Sequence, residues 1–168
     1  MKSGVYLGLG SNTGDRLTRL RKALAELPAN GIDVTRVSSF YKTEPVNFHP
    51  QPWFINCVAE VRTDLLPLAL LRRLKGIERA LGRRPGVAKG PRPIDIDILL
   101  YGSAVVRSAE LTVPHPRLAE RRFVLVPLAE IAPEVRLPVT QCTMREILAQ
   151  TQDQSRVTRL GEGTENRE

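Results

Sequence analysis

Two aspartates one residue apart, Asp95 and Asp97, are the side chains of this sequence best suited to chemistry. They lie in a run of isoleucines, and β-branched residues favour a strand, whose side chains alternate between its two faces. Both carboxylates are therefore predicted to point to the same face, with Cα atoms roughly 6.5 Å apart. That spacing allows them to hold one magnesium ion or two, with phosphate oxygens completing the octahedral coordination.

An Asp-x-Asp pair alone is also compatible with the solvated face of an edge strand, because the motif is common. Aspartate is disfavoured in strands, however, so two of them inside an isoleucine run favour a binding role. Arg92, just upstream, carries a planar guanidinium group that suits phosphate. The net charge of +7 fits either a nucleic acid or a nucleotide, but bases close to acids favour a metal–phosphate site. Further basic residues lie at Arg83, Arg84, Lys89, Arg117, Arg121 and Arg122.

The composition is that of a single soluble domain. The chain has 168 residues, of which 42% are hydrophobic and 26% charged, so it can bury a core without disulfides. Its two cysteines, Cys57 and Cys142, lack the spacing of a metal or redox motif and fit a reducing compartment. The sequence contains no signal-peptide pattern and no apolar run of membrane-spanning length. We expect a cytoplasmic monomer that has neither a membrane nor a nucleic acid as its partner.

Hydrophobic periodicity predicts the elements that must position these residues. Strands are expected over residues 5–10, 32–41, 54–63, 94–100 and 104–106, and helices over residues 15–27 and 66–81. Thr143 and Glu146 form a capping box that predicts a last helix. This order predicts an α+β fold, a ferredoxin-like α/β sandwich with an antiparallel sheet, helices on one face and an added C-terminal helical or hairpin portion. We expect one domain over residues 1–150 and a flexible polar tail over residues 151–168.

Other residues could serve a ligand. Apolar residues alternate over residues 54–63, so Phe54 and Asn56 are predicted to face away from the core and to be available for binding. Glu78, on the border of a helix stripe, fits a surface ion pair as well as a functional role. His115 lies between two prolines, where a lone histidine is more often simply solvated than bound to phosphate. The glycine-rich turn after the first strand does not match the dinucleotide fingerprint, and no Walker A motif occurs.

Five segments together resemble the 6-hydroxymethyl-7,8-dihydropterin pyrophosphokinase family. They are Gly-Leu-Gly-Ser-Asn at residues 8–12, Ser-Ser-Phe-Tyr-Lys-Thr at 38–43, Phe-Ile-Asn at 54–56, Gly-Pro-Arg-Pro-Ile-Asp-Ile-Asp at 90–97 and Leu-Thr-Val-Pro-His-Pro at 111–116. The resemblance covers roughly residues 4–150. It implies that a pyrophosphoryl group passes from ATP to the hydroxymethyl group of the reduced pterin, with release of AMP, in folate biosynthesis.

The resemblance also implies a role for each matching residue. Asp95 and Asp97 would hold magnesium, as two ions, between the pterin hydroxyl and the ATP phosphates, and Arg83 would close over those phosphates. Arg83, Arg92 and Asp97 would be the catalytic residues. The pterin would contact the rings of Phe54 and Phe123, the side chain of Asn56 and the main chain of Thr43, Glu44, Pro45 and Val46. ATP would contact Glu78, Arg92, Ile98, Thr112, His115 and Arg121.

Three residues depart from the family pattern. Lys89 stands where a tryptophan often precedes Gly-Pro-Arg, Lys75 replaces a helix glutamine, and Glu110 replaces an arginine. A lysine cannot act as an aromatic lid. The details of ATP binding and of loop closure are therefore open at these positions, whereas the expected activity is not affected.

Two other classes of function fit parts of the pattern. A basic ferredoxin-like module can bind RNA across an open sheet, but only 5% of the residues are aromatic and no RNP-type segment occurs. A metal-dependent nuclease would use Asp95 and Asp97 but would leave Phe54, Asn56 and Phe123 without a role. The pyrophosphokinase interpretation uses all five residues.

Overall fold

An antiparallel sheet of six strands forms the centre of the fold. The computed structural model describes residues 2–45, 50–83 and 92–161. Its strands are β1 (Lys2–Ser11), β2 (Ile32–Val37), β3 (Tyr41–Thr43), β4 (Phe54–Thr63), β5 (Asp95–Tyr101) and β8 (Val157–Arg159), while β6 (Val106–Arg107) and β7 (Thr112–Val113) form a separate hairpin. The strand order in the sheet is β5-β1-β4-β3-β8, and β2 also pairs with β4.

Two helices, α1 (Arg16–Glu26) and α2 (Pro67–Ala80), pack on one face of this sheet. The side chain of Asp15 caps α1 by accepting a hydrogen bond from the Thr18 amide at 3.2 Å, and proline in the first turn opens α2. Their leucines recur at helical spacing and fill the core together with the inward residues of β1, β4 and β5. The fully buried members include Leu20, Leu70 and Leu74.

The added C-terminal portion covers part of the opposite face. Helices α3 (Arg122–Ile131) and α4 (Met144–Gln150) pack there against Tyr6, Val58 and Leu100 of the sheet. The predicted capping box opens α4, because the Thr143 hydroxyl accepts from the Glu146 amide and the Glu146 carboxylate accepts in return. The fold is therefore the expected ferredoxin-like α+β sandwich. The area left for a ligand on this second face is limited to the end of the sheet away from α3 and α4.

The strand expected over residues 32–41 is divided into β2 and β3. The division lies at Ser38, whose amide donates to the Val58 carbonyl at 2.8 Å and whose hydroxyl accepts from the Val58 amide at 2.9 Å. A serine can replace ladder hydrogen bonds in this way, since its hydroxyl competes with the backbone for the same partners. Two short strands therefore take the place of one long strand along β4.

The chain after Gln150 differs from the flexible tail that the sequence predicts. Residues 157–159 form β8, which extends the sheet by pairing antiparallel with β3. Main-chain hydrogen bonds hold this segment, and they leave no hydrophobic pattern in the sequence. Residues 162–168 of the expected tail lie outside the described residues. None of the described helices is both long enough and apolar enough to cross a membrane.

Candidate active site

Asp95 and Asp97 begin β5 and are half-buried, whereas Ile96 and Ile98 between and after them are buried in the core. The two carboxylates therefore share one face of the strand, as the alternation predicts. Strand β1 lies beside them, with Gly10 opposite Asp95 in the register. The pair is thus fixed on regular, hydrogen-bonded backbone at the start of β5, the outermost strand in this order, and not on a loop.

A network of charged hydrogen bonds surrounds Asp95. Arg83 donates through Nη1 to Asp95 Oδ1 and, at 3.1 Å, to Glu78 Oε2. Arg92 donates to the other oxygen, Asp95 Oδ2, at 3.3 Å. Glu78 also accepts from the Ile96 amide at 2.7 Å, and only 5% of this residue is exposed. Glu78 is consequently not a surface helix acid, and it joins α2 to β5 directly beside the aspartate pair.

Burial strongly affects the charge state of these carboxyl groups. Desolvation raises the pKa of Asp97 well above its ordinary value, and the neighbouring Asp95 and Glu78 carboxylates raise it further, against the opposing effect of Arg121 and Arg92. Desolvation also raises the pKa of Glu78, although the hydrogen bond from Ile96 and the charge of Arg83 act in the opposite direction. Burial therefore disfavours the charged form of Asp97 and of Glu78, and a cation bound beside them would favour it.

His115 and Arg121 form the second charged side of the site. The main-chain amide of His115 donates to the Leu99 carbonyl of β5 at 3.0 Å, which fixes the histidine loop to the strand that carries the aspartate pair. Burial, followed by the charges of Arg121 and Arg117, lowers the pKa of His115 to about 4. Its Nδ1 accepts from the Arg117 amide at 3.1 Å, so a neutral ring carries its proton on Nε2. The ring is consequently a hydrogen-bond donor for an anion at neutral pH.

The residues predicted to form a neutral ligand pocket lie at the start of β4, at the same end of the sheet as the aspartate pair, because Gly10 of β1 is opposite Asn56 on one side and Asp95 on the other. Asn56 is 8% exposed, its Oδ1 accepts from the Thr43 hydroxyl at 2.6 Å, and its Nδ2 donates to the Leu9 carbonyl at 3.4 Å. A Cβ atom at Gly10 would come within 2.5 Å of Asn56 Nδ2, so glycine is required there to leave room for the amide. Phe54 is the first residue of β4 and pairs with Thr43 of β3. These contacts place the two predicted residues of this pocket next to each other.

Phe123 lies in the first turn of α3 and is half-buried. The guanidinium carbon of Arg121 lies 5.4 Å from the centre of its ring, which is cation–π distance. Arg121 also interacts electrostatically with Asp97 and Asp95. A single arginine therefore connects the predicted aromatic contact, the histidine loop and the aspartate pair.

Sequence reasoning missed Asn12, which is fully buried and joins the two halves of the site. Its Oδ1 accepts from the Arg92 amide at 2.6 Å, and its Nδ2 donates to Gln51 Oε1 at 2.9 Å and to the Pro52 carbonyl at 3.2 Å. The segment that leads into β5 and the segment that leads into β4 are thus held by one side chain. An asparagine directly after a glycine-rich strand was the available signal, because an amide can bond several main-chain groups at once.

Some predicted residues are placed differently or lie outside the description. Ile98 packs its side chain in the core at 3% exposure, so its predicted contact with ATP is limited to its main chain. Val46 and Lys89 lie outside the described residues. Glu110 forms an exposed ion pair with Arg72, 3.8 Å between Oε2 and Nη2, and exposed pairs of this kind contribute little stability. Two further residues, Lys75 of α2 and Thr112 of β7, are exposed.

The donor set at β5 fits a hard divalent cation bound together with phosphates. Within the described residues, no group of three or more His, Cys, Asp or Glu side chains is arranged to hold a metal ion. Asp95 and Asp97 supply carboxylate oxygens, which magnesium prefers, but they are too few for six-fold coordination. These two carboxylates and the guanidinium groups nearby suit an ion whose remaining ligands are phosphate oxygens and water.

Comparison with known proteins agrees with this arrangement. Residues 6–133 match the family model described as 7,8-dihydro-6-hydroxymethylpterin-pyrophosphokinase (HPPK). A relative named 2-amino-4-hydroxy-6-hydroxymethyldihydropteridine pyrophosphokinase, from Bacillus subtilis, is 46% identical over 141 residues, which are 83% of this chain and 84% of that protein. The protein of the same name from Aquifex aeolicus is 42% identical, over 84% of this chain and 88% of its own length.

Other relatives are much longer than this chain. The mitochondrial folate synthesis bifunctional protein of Pisum sativum is 48% identical over 76% of this chain, which corresponds to 25% of the pea protein. Among solved structures, wild-type HPPK-DHPS of Plasmodium falciparum has a TM-score of 0.67 at 16% identity, over 89% of this chain and 43% of the other. At that identity the likeness supports the fold alone. The match over residues 6–133 and the relatives of similar length show that this chain belongs to the 7,8-dihydro-6-hydroxymethylpterin-pyrophosphokinase family.

Proposed function

We propose that this protein transfers the pyrophosphoryl group of ATP to 6-hydroxymethyl-7,8-dihydropterin, giving the pterin diphosphate and AMP, in folate synthesis. The observation that carries the proposal is membership of the family, through relatives of similar length that are named pyrophosphokinases. The charged network around Asp95 and the neutral pocket around Asn56 support it, because the reaction requires one site for a polyphosphate and one for a flat polar ring.

The reaction needs no nucleophile from the protein. The hydroxymethyl oxygen of the pterin attacks the β-phosphorus of ATP and loses its proton, the bond from that phosphorus to the α,β-bridging oxygen breaks, and AMP leaves. Such transfers ask a protein chiefly to position the reactants and to stabilise charge. Arg83 and Arg92 carry guanidinium groups beside Asp95 that can bind the transferring phosphates from one side. His115 and Arg121 can bind them from the other.

The pterin would bind in the pocket of Asn56 and Thr43, between the rings of Phe54 and Phe123. Asn56 is held on both sides of its amide by Thr43 and by the Leu9 carbonyl, so its remaining hydrogen-bonding capacity is directed in advance. The main chain of Glu44 and Pro45 continues the polar edge of the pocket after β3. Aromatic rings on two elements would hold the flat substrate by stacking.

Asp95 and Asp97 would hold magnesium, in two ions, bound with the phosphates of ATP. When bound there, the metal supplies positive charge against the phosphate oxygens during transfer. Asp97 gives the stronger support for this role, because burial and the neighbouring Asp95 and Glu78 carboxylates disfavour its charged form, which a bound cation would favour. We further propose that the protein acts as a cytoplasmic monomer without a nucleic-acid or membrane partner.

The interpretation as an RNA-binding module loses support from the fold. Such a module binds across an open sheet face, whereas α3 and α4 pack on that face over Tyr6, Val58 and Leu100. Phe54 and Phe123 also lie on different elements, at the start of β4 and the start of α3, and not side by side on neighbouring strands.

A single incubation tests the proposal. The purified protein is mixed with ATP, magnesium chloride and 6-hydroxymethyl-7,8-dihydropterin, and the products are separated by chromatography. We expect AMP and the pterin diphosphate in equal amounts, with no product when the metal is chelated. Formation of ADP, or release of AMP without a pterin product, would overturn the proposed reaction. Single-stranded RNA serves as the comparison ligand in a thermal-shift assay and should not stabilise the protein.

A further inference from the structure

The segment after α4 contacts the proposed pterin pocket from three sides. We call residues 151–160 the C-terminal arm. It lies beyond residue 133, where the match to the family model ends, so the family match does not include the arm. The arm joins the sheet through β8, which runs antiparallel to β3 with Val157 opposite Thr43. Thr43 is the residue that holds Asn56, so the arm is anchored directly beside the pocket.

The first contact is with the chain that follows β3. The Glu44 amide donates to the Arg156 carbonyl at 3.1 Å, and the Arg156 amide donates to Glu44 Oε1 at 3.0 Å. Two hydrogen bonds thus fix Glu44 to the arm, one through its main chain and one through its side chain. Glu44 directly follows Thr43, so this pair determines the direction in which the chain leaves β3.

The second contact is with the chain that precedes β4. The guanidinium carbon of Arg156 lies 5.7 Å from the centre of the Trp53 ring, and Lys42 Nζ lies at the same distance. The Trp53 carbonyl accepts from Arg16 Nη1 at 2.7 Å, so the backbone there is already held by a buried side chain. Trp53 is directly followed by Phe54, one of the two rings proposed to stack on the pterin. Arg156 therefore acts on both chain segments that border the pocket.

The third contact is with the start of α3. Asp153 Oδ2 accepts from the Arg122 amide at 2.8 Å, and the Ser155 carbonyl accepts from Arg122 Nε at 3.1 Å. Arg122 directly precedes Phe123, the second proposed stacking ring. The arm thus contacts Glu44, Trp53 and Arg122, which adjoin in sequence the predicted pterin contacts Thr43, Phe54 and Phe123. None of these contacts involves Asp95 or the charged residues bonded to it.

We infer that the C-terminal arm, through Arg156, is a positioning element of the pterin pocket: it holds Glu44 and Trp53 so that the pocket is formed before the pterin arrives. Arg156 acts through these two residues and is a positioning residue, not a catalytic one. A preorganised pocket binds more tightly because less conformational freedom is lost on binding. The inference rests on the proposed function, since it assigns a role toward the pterin.

The test compares affinity for 6-hydroxymethyl-7,8-dihydropterin with affinity for a non-hydrolysable ATP analogue with magnesium, both by calorimetric titration. Arg156→Ala should raise the pterin Kd about 2- to 5-fold, the factor that corresponds to a cation–π contact at an exposed site. The Kd of the nucleotide and kcat should stay within experimental error of the native values. Arg156→Lys keeps a cation over Trp53 and should recover part of the affinity. Arg159→Ala is the matched control, since it removes one positive charge from β8 and should change neither Kd.

Two further measurements separate positioning from general destabilisation. Trp53 is the only tryptophan of the chain, so tryptophan fluorescence reports on the surroundings of this one ring. Arg156→Ala should make Trp53 more accessible to acrylamide, whereas Arg159→Ala should not. In a Trp53→Leu background, Arg156→Ala should have no additional effect on the pterin Kd, because the contact that it removes is already absent. An additive effect, or a native pterin Kd in Arg156→Ala, would overturn the inference.

The same measurements distinguish an error in this inference from an error in the proposed function. If the native protein neither binds the pterin nor forms AMP, the proposed function is wrong. If the native protein does both and Arg156→Ala raises both Kd values equally, the arm supports the fold as a whole and the inference is wrong. Should Arg156→Ala not fold, Arg156→Gln takes its place, with a pterin Kd expected to exceed that of Arg156→Lys. Equal values for the Gln and Lys variants would overturn the inference.

Discussion

The two sides of the site are built from different interactions. Around Asp95 and Asp97, three carboxylates and several guanidinium groups lie close together, and burial raises the pKa of Glu78 and of Asp97. Around Asn56, by contrast, the contacts are neutral hydrogen bonds and aromatic rings. The charged side can respond to metal and phosphate by rearranging its ion pairs, whereas the neutral side is already fixed in shape.

This difference predicts how each side responds to substitution. Charged groups in a partly buried site act on one another over several ångströms, so that removing one changes the whole cluster. A neutral hydrogen bond affects mainly its own partner. We therefore expect substitutions on the charged side to alter turnover strongly and those on the neutral side to alter the affinity for one ligand.

The largest effect is expected for Asp97→Asn. Loss of a metal-binding carboxylate should lower kcat by about 1,000-fold or more, since metal charge contributes several kcal/mol at the transition state. The metal-free variant should nevertheless have a higher melting temperature than the native protein at pH 8. The pKa of Asp97 is raised on folding, so its ionisation destabilises the fold as pH rises above the unfolded value, and asparagine removes that effect.

Scanning calorimetry in the presence of a chelator, at pH 5 and pH 8, checks the predicted change in melting temperature. The difference in melting temperature between Asp97→Asn and the native protein should be larger at pH 8 than at pH 5. Asp95→Asn should also lose turnover, but it removes the acceptor of both Arg83 and Arg92 and should not stabilise the protein. Near-native turnover of both variants would contradict the assignment of the charged side.

Arg92→Ala should give the second-largest effect. Its guanidinium group lies beside Asp95 and can stabilise charge on the transferring phosphate, so we expect kcat to fall by about 100- to 1,000-fold. Lys89→Ala, which removes a positive charge nearby in the sequence, is the comparison variant and should slow turnover far less. Steady-state kinetics at low and high salt would show equal losses only if Lys89 also acts on the phosphates.

Substitutions on the neutral side should separate the two ligands. Asn56→Ala should raise the pterin Kd by about 5- to 150-fold, the range that corresponds to a buried polar group left without its partner. Phe123→Ala should raise it by about 2- to 10-fold through lost stacking. The Kd of the nucleotide should change less than about 2-fold, because the substituted residues do not contact the nucleotide site. Asn30→Ala, four residues beyond the end of α1, is a control for loss of an asparagine. Equal losses of affinity for the pterin and the nucleotide would show that the pterin does not bind at Asn56 and Phe123.

The sequence predicted the charged side better than the connections between the two sides. An Asp-x-Asp strand and an alternating β4 leave a pattern that follows from the geometry of a strand, so Asp97 and Asn56 could be placed in advance. The Asn12 side chain bonds main-chain groups, which any residue supplies, and Arg156 is joined to Glu44 through its own main chain. Their partners at Arg92 and Glu44 are distant in sequence, and no periodicity marks them. The β8 strand was missed for the same reason.

The effect least selective between the two ligands is expected for Asn12→Ala. Asn12 bonds the Arg92 amide on the charged side and the Pro52 carbonyl on the neutral side, so its loss should loosen both. We expect the Kd of the pterin and of the nucleotide each to rise by about 2- to 10-fold, the equivalent of one neutral hydrogen bond on each side.

A matched control distinguishes this coupling from simple loss of stability. Thr143→Ala removes the capping box of α4, far from the site in the fold, and should cost about 1 kcal/mol of unfolding free energy without changing either Kd. Asn12→Asp retains the acceptor for Arg92 but loses the amide donor to Pro52, so it should weaken the pterin more than the nucleotide. If Asn12→Ala weakened only one ligand, the two sides would be independent, and Asn12 would belong to a single side of the site instead of joining both.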